Sequence, residues 1–383
     1  MQRTHDIIVV GGGPAGASCA RRAAELGLSV VVLEKGARLG AKPCAAGLTE
    51  RAMALLDGCE EPVVHRLLHV ADVALGRDLV FTLTGVAPFV ATTTRRELDA
   101  LLVRNAEKAG ALVMLGCGVE AVSQGAGTVT AASGTGEWCA RFAVFADGIH
   151  GVGRRLIGVA PQRLASAAYV RAFPDTPGDM AHLADRVSFD LSAADRGYGW
   201  VFPKNDHLNA GVFTQRPMSK RLLAALGTFL ASAGLSQWRT EGPFAFPIPM
   251  ISESETPGKL RCLLAGDAAG LADPVTGEGI SMAVASGRAA AESIASSFDS
   301  GEEALAVYGR RIAEEIVPMA VGMRRKGALV YGLGPGLLRA LGRVPLLRAF
   351  ACRVVRSSPA VREGAITIEV NVHRGPFAHA RGG

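Results

Sequence analysis

The chain has 383 residues, of which 49% are hydrophobic and 20% charged, so it is an ordered protein with room for a large core in two or three subdomains. Aromatic residues make up only 5%, and no run of Lys or Arg is interleaved with them, which argues against a nucleic-acid partner. The net charge of +6 suits an anionic membrane surface or a phosphate-bearing ligand, and equally the ordinary latitude of an Arg-rich surface.

The 7 cysteines form no CxxC pair and their number is odd, which argues against a disulfide framework and a zinc ribbon and suits a reducing cytoplasm. The N-terminus runs almost directly into "DIIVVGGG", so no signal peptide is expected. No uninterrupted apolar run reaches the length of about 18 residues that a spanning helix needs.

In chain order, "DIIVV" (6–10) predicts a buried parallel strand, "GGGPAGASCARRAAELG" a glycine turn opening a helix, and "SVVVLEK" (29–35) a second strand ending at Glu34. Gly11 permits the tight turn, Gly13 lets backbone approach a pyrophosphate, and Gly16 packs helix on strand. The helix N-terminus offers N–H donors, and Glu34 can accept from ribose hydroxyls. This is a dinucleotide-binding fingerprint, and by itself it does not say which dinucleotide.

"KPCAAG" (42–47) then places a thiol, Cys44, among small residues, with Gly47 allowing close backbone approach. The ordinary fate of such a cysteine is to be a small buried hydrophobe. "HRLLH" (65–69) spaces His65 and His69 as two metal ligands on a helix would be, but no glutamate follows His65 and no third ligand is near. The stretch therefore reads as a plain helix face, and no metal is expected. His150, further on, reads as a loop residue.

"ARFAVFADGIHGVGRRLIG" (140–158) is strand-like up to Ala146, Asp147 and Gly148. Residues 160–257 alternate short strands with turns and predict a mostly antiparallel sheet. Within it, "GYGWVFPKNDHLNAGV" (197–212) puts Tyr198 and Trp200 two apart, hence on one face, with Pro203 ending the strand and Lys204 at the turn. The pair is either a wall for an apolar substrate or a packed core pair.

"KLRCLLAGDAAGLADPVTGEGISMAVASGRAAAESI" (259–294) predicts a strand, then Gly266 and Asp267, a loop, and a helix opened by Gly277 and Gly279. Asp267 can accept from a ribityl hydroxyl, and the helix N-terminus can face the electron-rich end of an isoalloxazine. Beyond residue 300 the pattern is mainly helical. Residues 337–356 set apolar side chains beside Arg339, Arg343, Arg348, Arg353 and Arg356, which suits either an interfacial helix or one packed on the protein with snorkelling arginines.

The glycine fingerprint, the Asp147–Gly148 pair and the Gly266–Asp267 pair, in this order, resemble the flavoproteins of the p-hydroxybenzoate hydroxylase type. "TTTRRELDALL" (92–102) matches that family's arginine before a helix, through Arg95 or Arg96. "YGWVFPK" followed by "NAGV", "KPCAAGLTERAMALL" (42–56) and "DPVTGEGI" (273–280) further resemble the geranylgeranyl reductases, in which Gly–Gly often stands where this chain has Ala45–Ala46.

The resemblance implies an α/β protein with a Rossmann-like FAD-binding domain (1–160 with 258–300), an inserted mostly antiparallel sheet domain (161–257) and a C-terminal helical region (301–383). It implies FAD bound extended, adenine near Glu34 and isoalloxazine near Gly279. The implied cofactor contacts are Gly11, Gly13, Ala15, Gly16, Glu34, Lys35, Cys44, Ala45, Gly47, Arg95, Val119, Asp147, Gly266, Asp267, Gly277, Gly279 and Ile280. Cys44, Tyr198 and Trp200 are the implied catalytic or substrate-lining residues.

The activity the resemblance implies is saturation of isoprenoid double bonds on a lipid, quinone or pigment precursor, with NAD(P)H or ferredoxin as electron donor. A hydrophobic isoprenoid substrate, a redox donor protein and peripheral contact at the inner face of a membrane go with it. A free thiol is too weak an acid to protonate an unactivated alkene in a separate step, so Cys44 would deliver a proton in concert with hydride transfer, relay one, or shape the channel. Two other functions stay open on the same scaffold: a flavin monooxygenase or halogenase, and a non-catalytic flavin-binding lipid carrier.

Overall fold

The computed structural model describes residues 4–76, 78–125, 127–159, 163–176, 180–181, 183–251, 257–318, 320 and 366–369. It divides into two compact units: residues 1–42, 94–163 and 248–323 in the first, and 43–93, 164–247 and 324–383 in the second.

The first unit is built on the β-branched strand Thr4–Val10, whose Ile7, Ile8 and Val9 are completely buried. Such a run needs cover on both faces and parallel neighbours on both edges. Val30–Glu34 and Gly136–Phe145 supply the edges, each pairing in parallel. The sheet continues through Cys262–Leu264 on one side and Leu112–Leu115 on the other, again in parallel. Strands Val119–Gln124 and Val129–Ser133 branch off Gly136–Phe145 as an antiparallel meander.

Helices Pro14–Glu25 and Ile280–Ser296 cross closely in this unit. A Cβ at Gly287 would stand 2.1 Å from the Ala15 carbonyl oxygen, so only glycine permits the crossing. Helix Gly301–Arg311 and the π-helical turn Ile312–Ile316 follow, and the buried Tyr308 hydroxyl donates to Leu264 O at 2.7 Å.

The second unit holds an eight-stranded sheet in the order Arg239–Met250, Arg163–Phe173, Leu208–Thr214, Gly197–Pro203, Arg186–Asp190, Val70–Leu75, Asp78–Gly85 and Ile366–Glu369. Its registered pairs are antiparallel except Arg186–Asp190 with Val70–Leu75. Alternation along the strands gives it two different faces. Ala168, Val170, Val201, Ala210 and Val212 point to one face and pack against Leu222, Leu226 and Phe229 of helix Lys220–Ser232. The other face carries Tyr169, Phe189, Tyr198, Trp200, Phe202, Asn209, Gly211 and Phe213, as period-two alternation through the strand register dictates.

Two expectations are corrected here, and the C-terminal helical region is found with one added strand among its described residues. Residues 43–93, expected to run with the nucleotide domain up to 160, lie in the second unit. Their backbone partners decide it: Gly47–Thr49 pairs with Val90–Thr92, and Val70–Leu75 with Arg186–Asp190. "HRLLH" is not a helix, because Arg66–Leu68 is a strand paired with Val90–Thr92, so the i,i+4 geometry of His65 and His69 does not arise. The 301–383 region is helical at its start, yet Ile366–Glu369 is a strand against Asp78–Gly85. The basic segment 337–356 lies outside the described residues.

Candidate functional site

The glycine turn of the first unit is as tight as its spacing predicts. Gly11 has φ +101°, and a Cβ there would sit 2.5 Å from Ala146 O. A Cβ at Gly16 would sit 1.9 Å from Gly11 O. Gly13 differs: the single atom within 4 Å of its absent Cβ is Arg95 Nη2, at 3.6 Å. The turn thus leaves backbone accessible at the N-terminus of helix Pro14–Glu25, with a guanidinium beside it.

That guanidinium is fixed by a bidentate pair with Asp99, at 2.8 Å and 2.7 Å, across the first turns of helix Arg95–Lys108. Thr94 caps this helix. Arg96 is instead packed by its backbone against Gly40, whose Cβ would lie 2.3 Å from Arg96 Cα. Of the two arginines, Arg95 is the one at the glycine turn.

Glu34 stands at the end of its strand and organises the turn from below. Its two carboxylate oxygens accept from Gly12 N and Gly36 N, each at 2.7 Å, which leaves lone pairs for a ribose hydroxyl. Lys35 beside it is exposed. Ala15 and Val119 are buried in the hydrophobic core of this unit.

Asp147 follows the strand that meets Gly11. One carboxylate oxygen accepts from Gly153 N at 2.9 Å, and the other, Oδ1, is buried without a partner. Burial pushes its carboxyl above the usual range, against the pull of the Gly153 N–H and, more weakly, the Lys35 charge. Gly151 has to be glycine, since a Cβ there would fall 2.0 Å from Asp147 Cγ.

Asp267 sits in the 3₁₀ turn Gly266–Ala269 and forms an ion pair with Lys42. Its Oδ1 lies 3.5 Å from where a Cβ of Gly279 would be, at the cap of helix Ile280–Ser296. Gly277 has φ +67°, and Ile280 opens the helix, nearly buried. The loop between is tied down: Asp273 Oδ1 accepts from Val275 N and Thr276 N, and Glu278 caps Ser281 N at 2.7 Å. The first unit therefore presents two helix N-termini, a clamped arginine, acids at both ends and an orphaned buried carboxylate oxygen. This set fits an extended dinucleotide. When bound, an FAD would take its pyrophosphate at Gly13 and Arg95, its ribose at Glu34 and its ribityl chain at Asp267.

The second unit carries the other constellation. Trp200 is 4% exposed, and its indole N–H donates to Asn209 Oδ1 at 2.9 Å. Gly211 makes room for it: a Cβ there would stand 2.4 Å from Trp200 Cζ2 and 2.6 Å from Tyr169 Cβ. Tyr198 packs on Phe189, Trp200 and Phe213 with ring centroids 5.6, 6.1 and 5.5 Å away. Tyr169 completes the wall beside Phe244 and Phe246, and burial, reinforced by the neighbouring Cys44, raises its hydroxyl above the usual tyrosine range.

The Cys44 loop is seated on this aromatic face. Asn209 Nδ2 reaches Cys44 O at 3.5 Å, and a Cβ at Gly47 would lie 2.7 Å from Phe202 Cε2. Lys204, 1% exposed, donates to Ala45 O at 2.8 Å and Ala46 O at 3.0 Å. Cys44 Sγ accepts from Ala46 N at 3.3 Å. Ala46 adopts φ +49°, the left-handed conformation that glycine takes without cost.

Sequence reasoning missed Lys42, Asn209, Tyr169 and the destination of Lys204. The period-two parity of "LNAGVF" already puts Asn209 on the face of Gly211 and Phe213. No comparable signal announces Lys42. Among the described residues, no group of three or more His, Cys, Asp or Glu is placed to hold a metal, and no helix is long and apolar enough to cross a membrane.

A profile of the FAD binding domain family matches residues 4–220, more than half of the chain. The chain is 32% identical over 315 residues to a menaquinone reductase of Mycobacterium tuberculosis, covering 75% of this chain and 76% of that protein. It is likewise 32% identical over 305 residues to digeranylgeranylglycerophospholipid reductase 1 of Methanopyrus kandleri, covering 75% and 79%. The chain belongs to the FAD-binding oxidoreductase family that includes the geranylgeranyl and menaquinone reductases. Among solved structures, a geranylgeranyl bacteriochlorophyll reductase-like protein of Thermoplasma acidophilum has the same fold, with TM-score 0.77, 22% identity, and 94% and 97% of the two chains covered. This flavoprotein thus has the p-hydroxybenzoate hydroxylase-type architecture that its motifs resemble.

Proposed function

We propose that the protein is an FAD-dependent reductase that saturates carbon–carbon double bonds of an isoprenoid chain carried on a lipid, quinone or pigment precursor. The observation that supports this most is the seating of the Cys44 loop, through Asn209 and Lys204, on an aromatic sheet face built from Tyr198, Trp200 and Phe202. An apolar chain with scattered alkenes needs such a wall, with few polar groups and one proton-bearing group beside it. The similar proteins, a menaquinone reductase and a digeranylgeranylglycerophospholipid reductase, support that substrate class.

An FAD held by Gly13, Arg95, Glu34 and Asp267 would, when reduced, supply the hydride for one alkene carbon. The chain's own residues do the rest: the aromatic face excludes water and aligns the isoprenoid, and the Cys44 thiol delivers or relays the proton for the second carbon or shapes the channel. Electrons enter from NAD(P)H or a ferredoxin, and the basic segment 337–356 is the proposed peripheral membrane contact. The test is anaerobic: the chemically reduced flavoprotein is mixed with a geranylgeranyl lipid and its absorbance followed. Reoxidation by the lipid without oxygen is expected, and reoxidation only by oxygen would favour a monooxygenase.

A further inference from the structure

We infer that Lys204 is a positioning residue whose buried ammonium holds the Cys44–Ala46 turn and thereby sets where the Cys44 thiol stands. The consequence for turnover rests on the reading of Cys44 given above, but the positioning itself does not.

Lysine is almost never fully buried unless its charge is met, and Lys204 is 1% exposed. Two successive backbone carbonyls, of Ala45 and Ala46, converge on its Nζ at 2.8 Å and 3.0 Å. Ala46 has the positive φ that an L-alanine rarely adopts. The same Ala46 gives its N–H to Cys44 Sγ at 3.3 Å, and its carbonyl also accepts from Thr93 N at 3.1 Å. The thiol is thus hydrogen-bonded to the residue that the cation restrains.

The cation is itself anchored at its root. Lys204 N donates to His207 O at 2.8 Å, and the preceding carbonyl, Pro203 O, accepts from Thr92 Oγ1 at 2.8 Å. A glycine at position 46 would hold such a turn unaided. Alanine needs a partner, and Lys204 is placed to be it.

The experiment uses the FAD-loaded full chain and the rate of Cys44 alkylation by iodoacetamide, resolved by peptide mass spectrometry. Cys19 and Cys262 do not compete, because burial pushes both thiols up to about 12. Lys204→Met, which keeps the stem and removes the charge, is expected to change the Cys44 rate at least fivefold while the Cys59 and Cys139 rates and the FAD content stay within twofold of wild type. Lys204→Arg, which keeps the charge, is expected to stay within twofold at Cys44. An unchanged Cys44 rate in Lys204→Met, or equal changes in the Met and Arg variants, would overturn the inference.

If Lys204→Met does not accumulate folded, the same substitution is made in an Ala46→Gly background, where glycine takes the positive φ freely. There it is expected to fold with a Cys44 rate within twofold of Ala46→Gly alone, and a fivefold change would overturn the inference. Failure of that double variant to fold also overturns the inference, because Lys204 would then support the whole unit rather than the turn. Alkylation involves no turnover. A changed Cys44 rate with unchanged double-bond reduction would therefore defeat the catalytic reading of Cys44 and leave the positioning intact.

Discussion

Lys204 Nζ lies 2.8 Å from the carbonyl oxygen of Ala45, 159 residues earlier in the chain. That contact joins the two stretches, "KPCAAG" and "YGWVFPK", that carry the resemblance to isoprenoid reductases. It also accounts for the conformation of Ala46. A charge-assisted hydrogen bond contributes about 1.5–3 kcal/mol, and a left-handed alanine costs about 1–2 kcal/mol, so two such bonds outweigh one strained residue.

The Cys44 loop is held through its own backbone carbonyls, those of Cys44, Ala45 and Ala46, by Asn209 and Lys204, so small substitutions of the Cys44 side chain are expected to leave the loop in place. Cys44→Ser keeps a donor of similar size, and Cys44→Ala removes it. Both variants are expected to retain FAD, and Ala to lose more double-bond reduction than Ser or to stop at partially reduced products, as product mass spectra would reveal. Wild-type rates and products in both would assign Cys44 to packing.

Gly211 is the floor beneath Trp200. Gly211→Ala puts a methyl group 2.4 Å from Trp200 Cζ2 and 2.6 Å from the backbone oxygen of Ala168, and backbone cannot move aside cheaply. The expected cost is about 1–3 kcal/mol of stability, with the Trp200 fluorescence shifted as the indole is displaced. A melting curve and emission spectrum identical to wild type would contradict this packing.

Glu34 and Asp267 are expected to be the acids that hold the cofactor's hydroxyl groups. Glu34→Ala removes the acceptor for Gly12 N and Gly36 N, and so loosens the glycine turn as well as the ribose contact. Asp267→Ala leaves the Lys42 charge without this partner. Each is expected to weaken FAD binding by about 1.5–3 kcal/mol, roughly ten- to a hundredfold in Kd by flavin fluorescence titration. Unchanged Kd values would remove both residues from the site.

Asp147 gives a pH signature. Its carboxyl is raised by burial, so its contribution to stability is complete below the ordinary aspartate pKa and is lost as pH rises through the raised value. Asp147→Asn removes that loss while keeping an acceptor for Gly153 N. The variant is expected to be more stable than wild type at neutral pH, with the difference shrinking as pH falls toward about 4, near the ordinary aspartate pKa, in apoprotein melting curves. A difference that grows on acidification would reverse the assignment.

The first unit was largely legible because its signals are local. A β-branched run, glycines at fixed offsets and an acid at the end of the next strand dictate one turn geometry, and Gly11, Gly16 and Glu34 adopt it. The aromatic face was legible by parity, since Tyr198 and Trp200 must share a side. What stayed hidden was long-range pairing. The alternation of "VADVAL" does not say that Val70–Leu75 pairs with Arg186–Asp190, so residues 43–93 could not be assigned to their sheet. Three-residue strands such as Arg66–Leu68 are too short to show a period, which is why "HRLLH" could pass for a helix. A lysine written next to a turn looks solvated, and only the folded chain buries Lys204 on two carbonyls.

The most direct test of the whole account is a mass measurement. The FAD-loaded protein, reduced with dithionite under anaerobic conditions, is incubated with lipids bearing geranylgeranyl chains, and the lipids are then extracted and weighed by mass spectrometry. The account predicts that they gain one or more pairs of hydrogen atoms, located on the isoprenoid chain. Lipids recovered unchanged, or carrying added oxygen when air is admitted, would contradict it.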